Sequence, residues 1–293
     1  HEVNYNTFNM GVFMLKLVIL IIYFAVLIGI GLYCRKHATD VNGFVLGGRS
    51  VGPWLTAFAY GTSYFSAVVF VGYAGQFGWK YGIAATWAGI GNAIIGSLLA
   101  WVVLGRRTRI MSQHLDSATM PQYFGKRFGS NPLKIGASVI IFIFLIPYTA
   151  SLYNGLSRLF GMAFNIDYSV CIIIMATLTA IYVIAGGYMA TAINDFIQGI
   201  IMLFGIVAVI AAVIHSKGGF MSALQGLANV SDPAVSDTPG IFASFFGPDP
   251  FNLLCVVILT SLGTWGLPQM VQKFYAIDNE ASIQKGTVIS TIF

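Results

Sequence analysis

Asp195 is the one acidic side chain lodged inside a long apolar run, in the stretch Gly186-Gly-Tyr-Met-Ala-Thr-Ala-Ile-Asn-Asp-Phe-Ile-Gln-Gly199. If that run crosses a bilayer, an ionised carboxylate at its centre costs about 2.5–3.5 kcal/mol on insertion scales. At about 1.5 Å of rise per residue, Asp195 lies roughly 10 Å from the nearer end of its helix, so the cost is smaller but real. A bound cation or a polar vestibule would offset it. So would a neighbouring helix, or an interface within reach of the carboxylate. Position alone leaves both readings open.

A second set of polar residues lies at mid-depth of another apolar run. The stretch 54–75 could cross a bilayer, yet it carries Gly61, Thr62, Ser63 and Ser66. Small and hydroxyl residues let a helix break and aim oxygens at a buried guest. In lipid, such backbone survives only where protein or a water-filled cavity covers it. The same residues also suit close packing of two helices. The stretch Thr260-Ser-Leu-Gly-Thr-Trp-Gly-Leu-Pro-Gln269 shifts the balance, because Gly263, Gly266 and Pro268 interrupt an apolar helix around Ser261, Thr264 and Trp265. Two interrupted helices in corresponding positions point to the midplane binding site of a transporter. Trp265 would equally suit an interface belt.

These residues need membrane helices to hold them, and the composition supplies them. Of 293 residues, 57% are hydrophobic and 9% charged, against about 25% charged in soluble domains. The class is an all-α polytopic membrane protein. Apolar runs of about 20 residues predict spans over 13–34, 53–77, 83–104, 133–160, 168–185, 188–214 and 251–271, with another opening near 282. Arg35, Lys36, Arg49, Arg106, Arg107, Arg109, Lys126, Arg127, Lys134, Lys273 and Lys285 fall on one side if the N-terminus is outside. That asymmetry orients the chain in the cell (plasma or inner) membrane. It also accounts for the net charge of +5 without nucleic acid. The segment 119–128, with Pro121 at a helix start and Met120, Tyr123, Phe124 and Phe128 at helical spacing, reads as an interfacial helix on the cytoplasmic face. The Gly-, Ser-, Asp- and Pro-rich segment 216–250 reads as an extracellular cap.

Enzymatic signatures are missing. His1, His37, His114 and His215 are not paired at metal spacing, and Cys34, Cys171 and Cys255 are far apart. No nucleophile elbow, zinc-protease helix or phosphate loop is present. The chain does not read as an enzyme.

Three segments carry a family resemblance: Gly47-Gly-Arg-Ser-Val-Gly-Pro-Trp54 leading to Ser66-Ala67 and Gly72-Tyr-Ala-Gly75; Ile181-Tyr-Val-Ile-Ala-Gly-Gly187 running to Asn194-Asp195 and Gln198-Gly199; and Trp265-Gly-Leu-Pro268 followed by Gln272-Lys-Phe-Tyr-Ala276. In these the chain resembles the sodium/solute symporter family, with its sodium/proline, sodium/pantothenate and sodium/galactose carriers. The resemblance implies a LeuT-like inverted five-helix repeat with one extra N-terminal helix. Residues 1–46 would hold the extra helix, 47–214 the first repeat with its broken first helix, 215–250 the extracellular loop, and 251–293 the start of a second repeat that is incomplete in this chain. It places sodium on the backbone carbonyls of Thr62 and Phe65 and on Asp195, with the remaining ligands beyond Phe293. Solute contacts would fall on Ser66, Val69, Ser261, Thr264 and Trp265. Thr264 stands where the family has a gating Tyr, and Val69 is apolar where sugar carriers have a polar contact.

The expected function is sodium-coupled symport of a small organic solute, an amino acid or monocarboxylate, by alternating access. The expected partners are that solute, Na+ and the lipid bilayer. Two alternatives remain: a channel, and a non-transporting sensor or assembly subunit on the same fold.

Overall fold

The fold is that of a computed structural model. We describe residues 2–65 and 73–293, with residues 2–10 and 12 by backbone alone. Thirteen α-helices follow one another along these residues: α1 (Glu2–Cys34), α2 (Val41–Leu46), α3 (Pro53–Tyr64), α4 (Ala74–Tyr81), α5 (Thr86–Gly91), α6 (Arg106–His114), α7 (Met120–Phe128), α8 (Asn131–Phe164), α9 (Tyr168–Ser216), α10 (Phe220–Ala228), α11 (Pro250–Leu262), α12 (Pro268–Ala276) and α13 (Glu280–Ile292). Between α5 and α6 the chain winds as π-helix over Asn92–Leu99 and Trp101–Gly105. The described residues form no sheet, only the isolated bridges Val51↔Ile277 and Asp232↔Ser236.

Among the described residues, four helices are long and apolar enough to cross a membrane: Phe13–His37, Ala74–His114, Asn131–Phe164 and Tyr168–Ser216. The pair Pro250–Gly266 and Pro268–Ala276, bent by 53°, makes a fifth as a broken span. Their outer faces keep large apolar side chains exposed, among them Phe142, Phe144, Ile184, Phe204 and Leu259. Water would penalise so large an apolar surface, and lipid does not.

Helix boundaries follow local chemistry. Asp40, Thr119, Ser130, Asp167, Asp249 and Asn279 each accept a backbone N–H at the start of a helix, satisfying a donor that the helix cannot. The two spans expected over 168–185 and 188–214 join at Gly187, whose φ of 57° and ψ of −149° break the helical path inside α9. A Cβ there would sit 2.7 Å from the Phe44 carbonyl oxygen, so glycine is required. Upstream, α1 packs closely along α9. A Cβ at Gly31 would lie 2.9 Å from Tyr182 backbone, and one at Gly186 would lie 2.7 Å from the Gly31 carbonyl.

The two ends of the bundle differ. At one end, residues 241–247 lie over Tyr81–Trp87: Trp87 Nε1 donates to the Phe245 carbonyl at 2.9 Å, and Gly82 is pressed against Phe242. At the other end, two arginines stitch the loops. Arg49 donates to the carbonyls of Ser112 (3.2 Å), Ser117 (2.8 Å) and Tyr275 (3.2 Å). Arg109 donates to the carbonyls of Ile277 (2.6 Å) and Asp278 (2.9 Å). Here α7 lays Tyr123 against Tyr275.

The core sits between these ends. Ala57, Tyr60 and Tyr64 of α3 pack with Trp101, Met270, Phe274 and Ile283. This cluster positions everything described next.

Candidate functional site

Helix α3 opens with Gly52 as its cap and Pro53 in its first turn, and it stops at Tyr64. Phe65, at φ −86° and ψ 58°, has left helical geometry, although its N–H still donates to the Gly61 carbonyl at 2.9 Å. One turn earlier, the Thr62 hydroxyl donates back to the Phe58 carbonyl at 2.9 Å, a bond that bends helices. The ring of Phe293, at the end of α13, rests on Gly61 where any Cβ would collide. Ser66 and Val69 lie outside the described residues.

A cavity of about 200 Å³ opens beside this helix end, lined among others by Tyr64, Phe65, Asn92, Ser97, Ser290 and Phe293. Its polar groups are neutral and bonded to one another. The Ser261 hydroxyl donates to the Asn92 amide oxygen at 2.9 Å. The Tyr64 hydroxyl stands 2.9 Å from that same oxygen and 2.9 Å from the Thr260 carbonyl, so its single proton serves one acceptor at a time. Ser97 and Ser290 share a hydrogen bond of 2.9 Å. The π-helical stretch makes this possible. On an α-helix Asn92 and Ser97 would lie about 140° apart around the axis; here both line the cavity. Carbonyls within the stretch are taken by side chains from outside it: Tyr60 donates to Gly96 at 2.9 Å and Trp265 Nε1 to Ile95 at 3.0 Å. Short π segments of this kind concentrate at functional sites.

The second interrupted stretch arrives from the other direction. α11 ends at Leu262, a 3-10 turn covers Gly263–Gly266, and α12 begins at Pro268. Ser261 is fully buried against Asn92, while the Thr264 hydroxyl donates to the Ser261 carbonyl at 3.0 Å within its own turn and lies against the Tyr64 hydroxyl. The structure therefore brings Phe65, Ser261 and Trp265 to one locality around Asn92 and Ile95, with Thr62 one turn before the end of α3.

Asp195 stands apart from that cavity. It lies one turn before Gly199, where a Cβ would be 3.2 Å from Thr62 Cγ2, and next to Phe196, whose ring packs on Phe58, so α9 carries the carboxylate alongside the middle of α3. Its partner is Lys273, whose Nζ is 3.7 Å from Asp195 Oδ2. Charge patterning placed Lys273 among the basic residues of the cytoplasmic side. The bend between α11 and α12 instead turns it inward, where it is 6% exposed.

A match to the model of the sodium:solute symporter family covers residues 44–293. The chain belongs to the sodium:solute symporter family. Among curated relatives, it is 31% identical over 259 residues to the osmoregulated proline transporter OpuE of Bacillus subtilis, covering 87% of this chain and 51% of that protein. It is 32% identical over 282 residues to a sodium/proline symporter of Staphylococcus aureus, covering 92% of this chain and 51% of that protein. The chain thus spans about half the length of the curated relatives it matches.

The sequence named Ser261 and Trp265, which the structure places beside Asn92 and Ile95. It did not name Tyr64, Asn92, Ser97 or Ser290, and it gave Lys273 only as part of a motif and among the basic residues of one side. A signal for Asn92 existed: it is the one side-chain amide within the apolar run 83–104.

Proposed function

We propose that the protein carrying this chain couples the inward flow of sodium to the uptake of a small neutral amino acid, by alternating access. One observation carries the reading: the end of α3, the π-helical stretch and the end of α13 line one small cavity with neutral hydroxyl and amide groups, and Ser261 at the end of α11 is tied to it through Asn92. At about 200 Å³ it is smaller than the roughly 300–1,000 Å³ of drug-sized sites, which suits a solute of amino-acid size better than a sugar chain. The curated relatives named above are proline carriers, so proline is the first solute to test.

In this reading sodium, as cargo, sits at the open end of α3 on the carbonyls of Thr62 and Phe65, and Asp195 lies on its way out. Ser261, Thr264 and Trp265 contact the solute. Neutral oxygens hold sodium weakly enough to let it go inside. One charge crossing about 100 mV supplies about 2.3 kcal/mol. A tenfold sodium gradient adds about 1.4 kcal/mol, and together they could concentrate a neutral solute about 500-fold. The arginine-stitched end faces the cytoplasm and the N-terminus lies outside. Residues 47–214 form one repeat, and a second begins at 251.

The test is uptake of radiolabelled proline into proteoliposomes holding the intact protein, with sodium or choline outside. Sodium-dependent, saturable uptake is expected. Flux that never saturates would indicate a channel. Sodium-dependent binding without uptake would indicate a sensor.

A further inference from the structure

Lys273 and Asp195 form a loose pair in unusual surroundings. At 3.7 Å the ammonium is too far from the carboxylate for a good hydrogen bond. The same ammonium stands 5.2 Å from the centroid of the Tyr188 ring. Polar atoms along the two helices are idle. The Tyr188 hydroxyl, both amide atoms of Asn194 and both of Gln269 are buried with no hydrogen-bond partner among the described residues. Asn194 adjoins Asp195 on α9, and Gln269 lies one turn before Lys273 on α12. A buried ion pair that serves only the fold needs tight geometry and satisfied neighbours to offset its desolvation. This one has neither, and Asp195 keeps 23% of its side chain exposed while Lys273 keeps 8%.

We propose that Lys273 is a tethered counter-cation for Asp195, and that sodium reaches this carboxylate by displacing the ammonium and so unlatching α12 from α9. The inference rests on the sodium-symport reading above. In a low-dielectric interior two cations a few ångströms apart repel far more strongly than in water, so they do not share one carboxylate. While the ammonium holds Asp195, the apparent affinity for sodium is lowered by the fraction of carboxylate left free. Displaced, the ammonium has the Tyr188 ring face beside it. The coupling is reciprocal: a conformation that returns Lys273 to Asp195 expels sodium. Lys273 is a positioning residue, acting on the ion only through Asp195. It also reports the ion's presence to α12, which follows directly on the turn that holds Trp265.

The probe is sodium alone, with choline as its substitute, titrated against the intact protein in detergent and read by intrinsic fluorescence and thermal shift. In Lys273→Met the half-saturating sodium concentration is expected to fall at least tenfold, and the rate of sodium-driven uptake to drop because release is slowed. A merely structural pair predicts loss of stability with sodium affinity unchanged or weaker. Folded Lys273→Met with unchanged or raised half-saturation overturns the proposal. Should that variant fail to fold, acetylation of Lys273 in the wild type by acetic anhydride, read by mass spectrometry, decides it. Sodium should raise labelling several-fold over choline, and equal labelling overturns the proposal. A wild type with no sodium response in binding or uptake overturns the symport reading itself, and this inference with it.

Discussion

The amide oxygen of Asn92 accepts from Ser261 and lies within reach of Tyr64, so one side chain ties the end of α3 to the end of α11. Asn92→Ala leaves the buried Ser261 hydroxyl without its acceptor, while Tyr64 keeps the Thr260 carbonyl, and an unpaired buried group costs about 1–3 kcal/mol. We expect KM for proline uptake to rise about tenfold or more at saturating sodium, measured from initial rates. An unchanged KM would remove Asn92 from the solute site. This residue was overlooked because a lone amide in an apolar run has many explanations, and only the fold shows which hydroxyls converge on it. Lys273 was misplaced for a related reason. Charge reads as surface until a bend of 53° turns its helix inward.

Among the elements, the legible ones had local signatures. The helix α7 follows from Thr119, Pro121 and its apolar spacing, and it is found over Met120–Phe128. The break between α11 and α12 follows from Gly263, Gly266 and Pro268. Helix α10 inside the loop went unread because Gly218, Gly219 and the polar residues around it masked a short apolar pattern at Phe220, Ala223, Leu224 and Leu227. The π-helical stretch had no local signature, since its carbonyls are held by Tyr60 and Trp265 from elsewhere in the chain. That dependence gives a test. Deleting Ile94 should let the stretch wind as an ordinary α-helix, whose own N–H groups then take the carbonyls that Tyr60 and Trp265 hold. Uptake should be lost while far-UV circular dichroism stays near wild type. Retained uptake would show that the wide winding does not shape the cavity.

Across the whole molecule, basic loops gather at one end and the folded loop 216–250 at the other. Arg49 and Arg109 bond carbonyls of two segments, 112–117 and 277–278, at the basic end, while Trp87 and Gly82 receive residues 242–245 at the opposite end. The orientation proposed from the charge asymmetry is open to direct measurement. In a background with Cys34, Cys171 and Cys255 replaced by serine, Asp237→Cys should react with a membrane-impermeant maleimide on intact cells. Arg127→Cys should react only after permeabilisation. The reverse pattern would invert the assignment.

The parallel bridge between Val51 and Ile277 has a mechanical consequence. Val51 donates to the Ala276 carbonyl at 3.3 Å, and Asp278 donates back to the Val51 carbonyl at 3.0 Å. The residue just before α3 and the residue just after α12 are thereby welded into one lever arm. Torque applied at either passes to the other without slack. Bending between these elements is then left to points farther in, at Phe65 and in the turn from Gly263 to Leu267, where no continuous helix resists twisting.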